Sequence, residues 1–295
     1  MAHLSVMIES SQRMSVQNGQ LLIRGAEERS VPIEDISCLL IDNLRCAMTT
    51  AAINALAANG TAVLVCGRNH LPSALLTPFS VHSRGFYRLK SQLAVSVPAK
   101  KRLWQRIVKN KITNQAACLH QCGEQMVAQE LVHLSRCVLS GDSGNLEAEA
   151  ARKYFPVLFG TGFIRGKCGR INAALNYGYA IVRGSLARHL ANAGYYPAIG
   201  IFHHSGANNF NLADDLIEPF RPVVDALVAH YIPSEGELSV EDRHKLMHVL
   251  QTPVYVNERT VTLDFALSEA VRALETAFDG NGAAFPQISL SFQDL

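Results

Sequence analysis

The apolar residues keep a two-residue period through the first third of this chain and a helical period after it, so one kind of layer cannot bury both parts. LSVMI (4–8) alternates, and SVQNGQLLI (15–23) sets Asn18-Gly19 between two apolar runs, the pair a two-residue hairpin favours. VPIEDISCLLID (31–42) and TAVLVCG (61–67) read as further strands. Between them TTAAINALAANG (49–60) predicts one short helix, capped by Thr49 or Thr50 and stopped by Gly60. Short strands at this spacing predict a small sheet or sandwich. LPSALLTPFSVHSRGFYRLKSQ (71–92) mixes Pro, Ser, Gly and Arg and reads as a linker. From about Ala99 the period is helical: Trp104, Ile107, Val108 and Ile112 share one face, while Arg102, Arg106 and Lys109 share another. Further helices are expected at 120–139, 147–159, 170–192, 211–231, 241–250 and 262–278. The expected fold is α+β: a small N-terminal β-sandwich over 1–83, a linker over 84–98, and a larger all-α domain over 99–295.

With 295 residues, 48% of them hydrophobic, the chain can bury a sizeable core. A net charge of +2 does not by itself point to nucleic acid, so that argument must come from local clusters. Seven cysteines in no regular framework suggest free thiols and a reducing compartment. No leader pattern and no apolar run long enough to span a bilayer is found, so a cytoplasmic protein is expected, with no membrane association.

Two stretches place acids where helices must pack. In GIFHHSGANNFNLADDLIEPFRP (200–222), Asp215 and Glu218 are three apart and Asp214 and Glu218 four apart, so either pair shares a helical face. With His203 or His204 they suit a divalent cation such as Mn²⁺ or Mg²⁺. An acidic first turn capped by Asn211 explains the same residues without a ligand. Pro219 disfavours helical geometry at Glu218 and predicts a kink. Adjacent side chains diverge, so His203 and His204 should not both reach one ion. In LEAEAARKYFPVLFG (146–160), Glu147 lies in line with Ala150, Ala151 and Tyr154, and Glu149 lies beside Arg152 and Lys153 on a solvated face. Glu147 is thus either a site acid or an ordinary packing neighbour.

Arg84, Arg88, Lys90, Lys100, Lys101, Arg102, Arg106, Lys109 and Lys111, with Phe86, Tyr87 and Trp104 interleaved, could follow a phosphate backbone or form a solvated helix face. Arg165, Lys167 and Arg170 form a second basic cluster beside Asn172, Asn176 and Tyr177. Cys118, Cys122, His133 and Cys137 fall in two pairs that could bind zinc, or could be buried thiols and surface residues.

Several of these stretches together resemble one family, the CRISPR adaptation integrases, the first of the two universal spacer-acquisition proteins, in their type II form. Gly200-Ile-Phe-His203 resembles the family's Gly-x-x-His, and NLADDLIEPFRP (211–222) its Asp-(two apolar)-Glu-x-Phe-Arg-Pro helix. LNYGYAIV (175–182), EAEAARKYF (147–155) and LWQRIVKNKITNQA (103–116) resemble three more of its segments in the same order, with Ala148 where the family usually has Gly.

The resemblance implies an N-terminal β-sandwich, a C-terminal α domain and a homodimer. It implies one Mg²⁺ or Mn²⁺ ion held by Glu147, His203 and Glu218, with Asp215 as the supporting acid. The implied function is a metal-dependent DNA integrase and endonuclease that inserts captured foreign DNA fragments into a CRISPR array by 3′-OH transesterification, in antiviral defence. Implied partners are DNA, a second copy, the small ferredoxin-like second adaptation protein and the type II effector nuclease. Charge adds Arg84, Lys101, Arg102, Arg165 and Arg170 as expected DNA contacts. Two other functions are compatible with the residues: a general metal-dependent DNA nuclease, and a non-catalytic, zinc-stabilised nucleic-acid-binding protein.

Overall fold

The structure is a computed structural model; it describes residues 4–76, 84–256, 259–278 and 288–289. The expected sandwich boundary at residue 83 lies outside the described residues. Strands β1 (Leu4–Ile8), β5 (Ile36–Ile41), β7 (Ala62–Cys66) and β8 (Pro72–Leu76) form one sheet in the order β1-β5-β7-β8. Strands β2 (Arg13–Gln17), β3 (Gln20–Arg24), β4 (Glu28–Pro32) and β6 (Ala47–Met48) form the other, in the order β4-β3-β2-β6. Asn18 (φ 49°) and Gly19 (φ 73°) make the tight β2–β3 turn, both in the left-handed region such a hairpin requires. Helix α1 (Thr50–Ala58) is capped by Thr49, whose hydroxyl accepts from Ala52 N–H.

Strand β5, inside the first sheet, is buried on both faces, which is why it has no polar-out alternation. Leu39 and Ile41 join the sandwich core, whereas Cys38 and Leu40 join the core of the helical part. The helical part consists of α2 (Gly85–Ala94), α3 (Val97–Gln121), α4 (Gln125–Cys137), α5 (Leu146–Phe159), α6 (Arg170–Asn192), α7 (Asn211–Ile217), α8 (Arg221–Tyr231), α9 (Val240–Met247) and α10 (Leu263–Phe278). Helix α6 lies on the sheet: a Cβ added at Gly184 would stand 2.5 Å from a Leu64 methyl, so a side chain there would force the layers apart.

Two expectations change. Residues 71–92 are not a linker: Pro72–Leu76 pairs antiparallel with β7, and Gly85–Ala94 is helical. Apolar Leu71, Leu75 and Leu76 pack on the cores, which the Pro and Ser content hid. The C-terminal part is the expected helical domain with one addition: β9 (Pro253–Val256), β10 (Arg259–Thr262) and β11 (Ile288–Ser289) form a small sheet, in the order β10-β9-β11. Asn211 does not cap α7; it is the helix's first residue, and its amide donates to the carbonyls of Ala198 and Ser205.

A buried charge cluster joins α6 to α10. Arg188 donates to both oxygens of Asp264 at 2.7 and 2.9 Å, Ser185 Oγ donates at 2.5 Å, and His189 Nε2 lies 3.1 Å away. Arg188 also reaches the carbonyls of Ser37 and Gly60 in the sandwich. Burial opposes the Asp264 charge, but His189, Arg188 and Ser185 outweigh it and hold its pKa well below the usual carboxylate range. A depressed folded-state pKa means the unfolded chain takes the proton first on acidification. The stabilisation is therefore complete above about pH 5 and is lost as pH falls below it. Urea unfolding between pH 6 and pH 3 should show a steep loss of stability for the natural protein and a shallower one for Asp264→Asn, which starts less stable. Parallel curves would remove Asp264 from the acid transition.

Candidate active site

Asp142, held at φ 51°, sets the start of α5: its carboxylate accepts from the N–H groups of Leu146 and Glu147 at 2.9 and 3.1 Å. Glu147 is thereby placed in the first turn of α5. Glu218 sits in the single 3₁₀ turn, Glu218–Phe220, that separates α7 from α8. The break falls at Pro219 as its chemistry predicts, although Glu218 itself keeps helical angles (φ −53°, ψ −45°). Asn114 on α3 donates to the Pro219 carbonyl at 2.8 Å and fixes the turn.

Between the two glutamates stands Lys111 of α3. Its Nζ is 2.5 Å from Glu147 Oε1 and 2.5 Å from Glu218 Oε2. Arg221 Nε donates to Glu218 Oε1 at 2.9 Å, and its guanidinium lies 4.5 Å from the Tyr179 ring centroid. Burial would raise the Glu218 pKa, but Lys111 and Arg221 hold it below its ordinary value. Lys111, which burial would lower, is raised by Glu218 and Glu147.

His203 belongs to the loop between α6 and α7. Asp215, fully buried on α7, accepts from the N–H groups of Ile201 (2.5 Å), Phe202 (3.0 Å) and His203 (3.0 Å), and pairs with His203 Nδ1 at 2.7 Å. That bond, the largest influence, raises the His203 pKa against partial burial. With Nδ1 engaged, Nε2 is the ring nitrogen left for a ligand. Trp104 stacks on Phe202 at 4.3 Å and meets the His203 ring edge-on. His204 is turned outward, its Nδ1 on the Phe202 carbonyl at 2.8 Å. Asp214 belongs to a separate ion pair with Arg183. Gln92 of α2 clamps the approach to this loop through the backbone of Tyr196 and Ile199.

Two glutamates facing one cation position fit a hard divalent ion, and Glu218 Oε2 is buried with no hydrogen bond beyond the Lys111 contact. Among the described residues no group of three or more His, Cys, Asp or Glu side chains is arranged to hold one ion. Glu147 and Glu218 thus meet at Lys111, and His203 is turned to Asp215. The zinc alternative finds no such group among the described residues either: Cys118 is buried, Cys122 exposed, and Cys137 Sγ lies 3.8 Å from His133.

Lys101 and Arg102 are exposed on the first turns of α3, and Arg84 is exposed at the head of α2. Arg165 donates to Asn172 and Asn176 and lies 5.3 Å from the Tyr179 ring centroid. The Arg170 guanidinium pairs with both oxygens of Asp242 and donates to the Glu235 carbonyl. The basic stretch extends beyond the cluster that starts at Arg84. No Asp or Glu occurs between Asp42 and Glu124, whereas eleven Lys and Arg residues do.

A β-sandwich joined to a helical body, in which buried Glu218 and half-buried Glu147 meet at one lysine of a helix whose first turns are basic and exposed, defines a protein suited to phosphodiester chemistry on nucleic acid. The chain belongs to the CRISPR associated protein Cas1 family, whose model matches residues 6–245. It is 43% identical over 238 residues, 80% of this chain and 78% of the relative, to the CRISPR-associated endonuclease Cas1 of Neisseria meningitidis serogroup C (strain 8013). Two solved structures share the fold. A casposase bound to integration product superposes with a TM-score of 0.77 at 20% identity, over 95% of this chain and 91% of that one. A chain of a Cas6-RT-Cas1–Cas2 complex superposes with a TM-score of 0.70 at 20% identity, over 99% of this chain and 36% of that one. Among the described residues no helix is long and apolar enough to cross a membrane.

Proposed function

We propose that this protein is a divalent-metal-dependent DNA integrase and endonuclease that joins captured DNA fragments to a CRISPR array. The observation that carries this reading is the convergence of Glu147 and Glu218, from different elements, on one cation position. Glu147 and Glu218 would hold Mg²⁺ or Mn²⁺, with His203 Nε2 as the third donor. The bound ion would supply charge stabilisation at the reacting phosphate and lower the pKa of a hydroxyl. Asp215 fixes the tautomer and direction of His203, and Arg221 holds Glu218 ionised. In the reaction the 3′ oxygen of the fragment bonds to an array phosphorus, the bond from that phosphorus to the array's own 3′ oxygen breaks, and the hydroxyl proton passes to the departing oxygen or to solvent. No net hydrolysis occurs; with water as the attacking group the same residues give endonuclease cleavage. DNA is the substrate, and the Cas2-type second adaptation protein, a homodimeric partner copy and the effector nuclease are the expected partners.

The test is half-site integration of a short duplex into a supercoiled plasmid carrying a repeat, with Mn²⁺, Mg²⁺ or chelator. Product should form only with metal, vanish in His203→Ala and persist in His204→Ala. Cleavage without joining would leave a general nuclease, and activity in excess chelator would remove the metal site.

Lys101 and Arg102, exposed on α3 within the acid-free stretch, are the proposed backbone contacts, with Arg84 and Arg165. Replacing Lys101 and Arg102 together by Ala should flatten the log–log salt dependence of duplex binding by about 0.9 for each phosphate no longer neutralised. An unchanged slope would place the DNA on another face.

A further inference from the structure

Lys111 occupies the position that the proposed function gives to a divalent cation. Its ammonium lies 2.5 Å from a carboxylate oxygen of each glutamate, and its side chain is 12% exposed. An ammonium and a dication cannot share that position: both require the same inward oxygens, and a singly and a doubly charged cation at contact distance repel strongly. Binding the ion requires Lys111 to leave.

A destination adjoins the pair. A cavity of about 150 Å³ is lined by Lys111, Gln115, Arg165, Arg221, Glu218 and Asp225. Gln115 follows Lys111 by one helical turn, is 1% exposed, and its Oε1 has no hydrogen-bond partner. A buried acceptor left unpaired is uncommon and calls for a donor. The lysine stem is flexible and can turn without moving α3. Asp225 is already engaged by the Tyr179 hydroxyl. Arg165 and Arg221 face the cavity from opposite segments, both beside the Tyr179 ring.

Resting on the metal-site reading above, we propose that Lys111 is a resident cation that a divalent ion displaces, and that the released ammonium turns toward Gln115 Oε1. There it completes, with Arg165 and Arg221, a binding site for a phosphate group. The ion and the phosphate then bind with positive coupling, and linkage makes that coupling reciprocal. The glutamates stay neutralised by Lys111 until the ion arrives, and the phosphate site forms only when the ion is in place.

The experiment is calorimetric titration of the purified full chain with Mn²⁺ alone, comparing the natural protein, Lys111→Gln and Glu218→Gln. Lys111→Gln should bind Mn²⁺ about tenfold or more tightly than the natural protein, because no ammonium has to be moved off two carboxylates. Glu218→Gln should lose binding. Inorganic phosphate should bind the natural protein more tightly with saturating Mg²⁺ than without it, and Lys111→Gln should lose most of that gain. Phosphate contacting the ion directly would raise affinity in both proteins alike, so an equal gain in Lys111→Gln overturns the phosphate site. Unchanged or weaker Mn²⁺ binding in Lys111→Gln, with binding lost in Glu218→Gln, overturns the displacement while leaving the metal site standing. No Mn²⁺ binding to the natural protein overturns both. Should Lys111→Gln fail to fold, the natural protein labelled with ¹³C at lysine Cε decides: the Lys111 resonance, identified by its loss in Lys111→Arg, should move on Mg²⁺ saturation. A resonance that stays in place overturns the proposal.

Discussion

Glu218→Gln should abolish integration and cleavage, with a loss of about a thousandfold or more, while the protein still folds. The amide keeps the shape of the carboxylate but removes the charge that faces both Lys111 and Arg221. Several kcal/mol of transition-state stabilisation depend on a bound divalent ion, and about 1.36 kcal/mol corresponds to each tenfold in rate. Lys111 keeps Glu147 as a partner, and the Gln oxygen can still accept from Arg221, so the protein should fold with a lowered thermal midpoint. Raising the metal concentration should recover part of the activity if the lost group is a ligand; circular dichroism and half-site product yield, measured on the same samples, check both halves. Near-natural turnover by Glu218→Gln would remove this carboxylate from the site.

The sequence carried the helical part closely because long amphipathic stretches have a strong period: 170–192 is α6 to the residue, and 211–231 is helical with its break at Pro219. The Asn18-Gly19 hairpin was equally legible because the backbone conformation demands those residues. The 71–92 stretch was not. A five-residue edge strand and a ten-residue helix bury few of their own residues, so composition outweighed pattern. Gln92 shows what that hid, since a polar residue buried to 1% looks like a surface residue until the backbone it clamps is known. Lys111 could have been found. It follows Trp104 by seven residues and Ile107 by four, on the apolar stripe itself, and a cation there requires a buried anion. Counting it with the solvated lysines misreads its face. The pairing of Arg170 with Asp242, seventy-two residues away, left no local signal at all.

Gly200→Ala should damage the site more than any conservative change outside the named acids and His203. A Cβ at position 200 would stand 2.2 Å from the His203 carbonyl oxygen, 2.8 Å from Asp215 Oδ2 and 3.1 Å from Asn211 Cβ. The closest of these is backbone, and Asp215 is fixed by three N–H groups, so no flexible side-chain end can move aside. The loop itself must shift by about an ångström, and a misplacement of that size costs on the order of a hundredfold in rate. Overpacking of this kind also costs about 1–3 kcal/mol of stability. This is the physical reason for glycine at the head of Gly-x-x-His: the turn that brings the His203 N–H and Nδ1 onto one carboxylate leaves no room for a methyl group. Gly206→Ala, in the same loop, is the control, because a Cβ there meets nothing within 4 Å. It should match the natural protein in urea midpoint and integration rate. Equal behaviour of the two variants would mean that the Asp215 cradle does not position His203.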